Sequence, residues 1–61
     1  MDLATTMSII ETIKERISRL KEQLEKETNI SQQIELSIQV SASQDILMEV
    51  QQMLIEDLKA E

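Results

Sequence analysis

Ile34-Glu35-Leu36-Ser37-Ile38-Gln39-Val40-Ser41-Ala42-Ser43 is the stretch on which the fold turns. Ile34, Leu36, Ile38, Val40 and Ala42 alternate strictly with Glu35, Ser37, Gln39, Ser41 and Ser43. A period of two, rich in β-branched side chains, predicts a half-buried strand over residues 33–42. A helix continued through the same residues at about 100° per residue gathers Leu36, Val40, Ile46, Leu47, Val50 and Leu54 on one face. It also places Glu35, Gln39 and Ser43 on that face and turns Ile34 and Ile38 away from it. The strand has no such mismatches, so the alternation favours it over a plain two-helix hairpin. It further predicts that Ile38→Lys abolishes folding or dimerisation while Gln39→Lys is tolerated, because alternate residues face opposite sides.

Upstream, the spacing is helical. Leu3, Met7, Ile10, Ile13, Ile17, Leu20 and Leu24 follow one another by threes and fours, which predicts a helix over residues 3–27. As a heptad, Leu3, Ile10, Ile17 and Leu24 take one seam position and Thr6, Ile13 and Leu20 the other, ending at Glu27. Asp2, Thr5 and Ser8 are possible caps, and an entry at Asp2 keeps Leu3 and Met7 within the helix. Thr28-Asn29 is the only stretch that resembles a break.

Downstream of Ser43 the helical period returns and predicts a second helix over residues 44–60. Its core stripe is Ile46, Leu47, Val50, Met53, Leu54 and Leu58, while Met48 and Ile55, seven residues apart, share a second side. A helix apolar around so much of its girth needs more than one partner surface. Charge points the same way. Lys14, Arg16 and Lys21 flank the first helix's seam, so parallel self-pairing sets Arg16 near Lys21. Asp45, Glu49 and Glu56 border the second helix's stripe, which suits packing of one helix on the other.

The 61 residues contain twelve Asp/Glu, six Lys/Arg and no Gly, Pro, Cys, His, Phe, Tyr or Trp. The acidity is uneven, −1 through Glu27 and −5 from Thr28 onward. A chain of this size buries only about 60% of its unfolded surface and commonly needs disulfides, a metal or association. Without Cys or His, association is what remains, as a homodimer or with another protein. No apolar run approaches the roughly 20 residues of a membrane span, and the N-terminus lacks the basic start of a secretory signal. A cytoplasmic protein with no membrane contact is the expectation.

Chemistry is sparse in this composition. His and Cys, the commonest acid-base and nucleophilic groups, are missing, and the carboxylate pairs Glu11/Glu15 and Asp45/Glu49 have the spacing of exposed helix acids. No enzymatic activity, cofactor or metal is expected. Ser43-Gln44-Asp45-Ile46-Leu47 loosely resembles the Ser-Gln-x-Leu-Asp signature of small aspartyl-phosphate phosphatases of sporulating bacteria, which are helical hairpins. Leu47 occupies the final Asp position of that signature, so the family is not adopted and the five residues are read as a helix start.

The fold expected from these observations is α+β: a helix-strand-helix subunit in an intertwined homodimer, its strands paired as a two-stranded antiparallel ribbon. The alternative is an all-α two-helix hairpin dimer. The expected function is a non-enzymatic protein-protein interaction module, a small acidic regulator, adaptor or chaperone-like subunit. Its partner or oligomer interface comprises Ile34, Leu36, Ile38, Val40, Ile46, Leu47, Met48, Val50, Met53, Leu54, Ile55 and Leu58. A different class of function, a DNA-binding ribbon dimer, would read bases through Gln33, Glu35, Ser37, Gln39 and Ser41. The net charge of −6 opposes the phosphate neutralisation such binding requires.

Overall fold

The structure, a computed structural model, describes residues 2–60. Two helices, α1 (Leu3–Lys26) and α2 (Ile30–Ala60), lie antiparallel as a hairpin. No strand occurs among the described residues, so the α+β ribbon fold is corrected to the all-α hairpin. The strand expected over residues 33–42 and the helix expected over 44–60 are one continuous helix.

The physical reason lies in how the alternation arises. Ile34, Ile38, Ala42 and Ile46 form one row at every fourth residue, and Leu36 and Val40 belong to another. Two such rows offset by two residues stand on opposite sides of a helix, and read in sequence they look like a period of two. The helix satisfies its own backbone hydrogen bonds, whereas a lone strand in this chain has no ladder to join. The β-branched side chains lower helix propensity by at most about 0.7 kcal/mol each, and no Gly or Pro interrupts propagation.

The start of α1 follows its cap. The Asp2 carboxylate accepts from the Thr5 backbone N–H and hydroxyl, both at 3.2 Å. The Thr6 hydroxyl donates to the Asp2 carbonyl at 3.0 Å, which lets a polar residue sit buried in the seam. The turn is Glu27-Thr28-Asn29. Glu27 leaves the helix at φ −79° and ψ 130°, and its carboxylate accepts from the N–H groups of Thr28 and Asn29 at 3.1 and 3.0 Å. Asn29 then caps α2, its side-chain oxygen accepting from the Gln32 N–H at 3.3 Å. The Gln33 amide closes the turn by donating to the Glu27 carbonyl at 2.7 Å. A turn built without Gly or Pro is thus held by side chains that replace the missing backbone partners.

The two seams match. In α1, Thr6, Ile10, Ile17 and Leu20 are buried and Ile13 and Leu24 half-buried, as is Glu27 just past its end. Opposite them, Gln33, Leu36, Val40, Ser43, Leu47, Val50 and Leu54 of α2 are half-buried, again spaced by threes and fours. Gln33 and Ser43 are therefore seam residues. Gln33 is used at the turn, and Ser43 is small enough to face Ile13. Leu3 and Met7, at the open end, remain exposed.

The core is thin. Among the described residues Ile10, Ile17 and Leu20 are the buried apolar side chains, each worth about 1.5–3 kcal/mol. The radius of gyration is 14.4 Å, against about 10.5 Å for a compact globule of this length. The molecule is a rod with one seam and most of its apolar surface outside it.

Candidate functional site

The interface residues expected from sequence divide into two groups. Leu36, Val40, Leu47, Val50 and Leu54 are half-buried along α2's seam toward α1, so they build the hairpin itself. Ile34, Ile38, Ile46, Met48, Met53, Ile55 and Leu58 are exposed. Ile46, Met53 and Leu58, assigned to the core stripe, lie outside it. Met48 and Ile55 do share a second side, and Met48 is 67% exposed.

That second side is longer than its two named members. Ile30, Ile34, Ser37, Ser41, Gln44, Met48, Gln51, Ile55 and Leu58 recur by alternating fours and threes along the whole of α2. This is a second heptad row, turned about 100° from the seam, and nothing in it is charged. A single partner helix cannot cover both rows, because they point in directions roughly a right angle apart. Ile30, 72% exposed at the turn, belongs to this row and escaped the sequence reading because it precedes the alternating stretch. Its signal was the four-residue step to Ile34.

Between the helices, one flank carries shallow furrows. Ile9 and Met53 line one of ≈ 80 Å³ with Thr6, Val50, Leu54 and Asp57. Arg16 meets Gln39, Ala42 and Ile46 at another of ≈ 370 Å³, and Gln23 meets Gln32 nearer the turn. Ile9 also went unrecognised, as the outer member of the Ile9-Ile10 doublet.

The acidic border expected to pair with α1's basic flank does not do so. Asp45, Glu49 and Glu56 are exposed, one or two positions beyond the flanks of α2's seam, which are Ser37, Gln44 and Gln51 on one side and Gln39, Ile46 and Met53 on the other. Among the described residues the ion pair found is Arg19 with Glu15, 3.9 Å apart on one exposed face of α1, and exposed pairs of this kind contribute little. The carboxylates of Glu11/Glu15 and Asp45/Glu49 are likewise exposed. No three metal-ligating side chains converge among the described residues, and no described helix is long and apolar enough to cross a membrane.

The base-reading surface of the DNA alternative has lost its scaffold. Gln33, Glu35, Ser37, Gln39 and Ser41 share one side of a strand, but on α2 they are distributed around the helix. No protein-family model matches the chain, and no curated protein or solved structure is significantly similar to it.

Proposed function

We propose that this chain is a non-enzymatic protein-protein interaction module that acts as a dimer and presents the outward row of α2 to a further protein. The observation that carries the proposal is the uncharged heptad row from Ile30 to Leu58, exposed at each position but the half-buried Gln51, along a helix whose other seam is already occupied. A helix of 31 residues with two such rows is suited to receive an amphipathic helix laid along it. The row's apolar members fall in two exposed groups, Ile30 and Ile34 beside the turn and Met48, Ile55 and Leu58 toward the other end, with Ser37, Ser41 and Gln44 between them. Apolar groups aligned on one uncharged side mark an interaction surface where single scattered residues do not. The absence of His and Cys and the open form of the inter-helix furrows support a binding role rather than a chemical one.

The test is affinity capture with the intact chain and with Met48→Glu as paired baits. Met48 makes no contribution to the hairpin core, so the variant is expected to keep its helicity and melting behaviour and to lose the specific partner. A catch unchanged by Met48→Glu removes the outward row from the contact. Recovery of duplex DNA, binding with a steep loss of affinity as salt rises, would place the chain in the nucleic-acid class instead.

A further inference from the structure

The furrowed flank of the hairpin carries opposite charge on its two sides. On α1 the row Thr5, Ile9, Thr12, Arg16, Arg19, Gln23, Lys26 has three bases and no acid. On α2 the row Gln32, Glu35, Gln39, Ala42, Ile46, Glu49, Met53, Glu56 has three acids and no base. The inner members of both rows border the same furrows, since Ile9 shares one with Met53, Arg16 another with Gln39 and Ile46, and Gln23 a third with Gln32, while Glu35, Glu49 and Glu56 stand one position further out on the same side of α2. No ion pair among the described residues joins one helix to the other.

We infer that this flank is the self-association surface, occupied by a second copy of the chain related by a two-fold axis parallel to the helices. Such a rotation lays α1 of each copy on α2 of the other, base row on acid row, with every neighbouring pair antiparallel. It makes a four-helix bundle from two hairpins. The other face-to-face two-fold, running across the helices, lays α1 on α1 and α2 on α2, and so opposes bases to bases and acids to acids. Charge therefore selects one axis over the other.

The parallel axis allows no sliding, so levels across the dimer repeat those within the hairpin. Arg16, level with Gln39 in the furrow, falls about a turn from the second copy's Glu35, and Arg19, three residues nearer the turn of the hairpin, falls closer to it. Toward the open end, Ile9, Ile46 and Met53 of both copies come together and cover the apolar furrow that each hairpin leaves open. The face is two helices wide, on the order of 20 Å, along the 24 residues of α1, about 36 Å, a projection of about 700 Å² that corrugated side chains enlarge. That is room for the roughly 800 Å² per partner of a standard stable interface. The outward row containing Met48 points elsewhere and stays available. The inference deepens the interaction-module reading and rests on its dimer.

A charge swap tests it by sedimentation equilibrium. Arg16→Glu/Arg19→Glu makes both rows acidic, and Glu35→Lys/Glu49→Lys makes both neutral to basic. Each variant alone is expected to dissociate roughly tenfold or more readily than the native chain, and an equimolar mixture is expected to recover the dimer as a heterodimer. The substituted residues are all exposed, and circular dichroism on each variant confirms the helices. Two folded variants that each dimerise as well as the native chain, or a mixture that does not recover, would overturn the inference. So would loss of the dimer in Met48→Glu, which would move self-association to the outward row while leaving the interaction-module reading in place.

Discussion

Ile17→Asp is expected to unfold the hairpin, with loss of most of the far-ultraviolet helical signal at 25 °C. Ile17 is 7% exposed, in the middle of α1's seam, and among the described residues only Ile10 and Leu20 are apolar and buried with it. Truncating a buried Ile to Ala already costs about 2–5 kcal/mol, and a core of this size rarely supplies more than about 3–5 kcal/mol. Asp adds a carboxylate with no cation in the seam to receive it, since the bases of α1 are all exposed. Ser18→Asp, one residue on and exposed, is the control and is expected to melt like the native chain. Equal melting of the two variants would mean that the seam through Ile17 does not hold the helices together.

The second large effect separates Val40→Lys from Ile38→Lys. Val40 is half-buried in α2's seam, whereas Ile38 is 63% exposed on the far side of the same helix. Val40→Lys is expected to destabilise by more than about 1 kcal/mol, because the lysine must withdraw its charge from the seam and leave a gap behind. Ile38→Lys is expected to stay within about 0.5 kcal/mol of the native chain, as surface substitutions do, and lysine is the better helix former of the two. Denaturant melts of the two variants read the difference directly. The alternating strand makes the opposite assignment, with Val40 and Ile38 equivalent on one buried face, so similar losses from both would restore it.

What sequence could and could not reveal follows from the kind of signal each segment carries. The first helix was legible because most of its apolar residues make one row, interrupted by Thr6 and accompanied outside it by Ile9. Its cap at Asp2, its seam and its end at Glu27 stand where the spacing puts them. The break at Thr28-Asn29 was legible too, as the one short polar interruption between periodic segments. The first half of α2 was not, because it has apolar residues on two sides at once, and two rows at four-residue spacing imitate a strand. The polar seam residues Gln33 and Ser43 reinforced the error. Their roles, a hydrogen bond across the turn and a small side chain opposite Ile13, exist only in three dimensions. The same two-sidedness that misdirected the fold is the feature on which the candidate site is built. Met48 and Ile55 were correctly set apart from the seam, and Ile30 and Ile9 extend the exposed surface beyond what periodicity around the alternating stretch could show.

These residues describe a hairpin that holds one seam closed, and we propose that its remaining apolar surface serves other chains, beginning with a copy of itself. Sedimentation equilibrium of the native chain, carried from micromolar to millimolar concentration, tests that most directly. The expected result is a species of twice the 7.0 kDa chain mass, accompanied by a melting temperature that rises with concentration, as linked association requires. A well-folded 7.0 kDa monomer with a melting temperature independent of concentration over the whole range would contradict it.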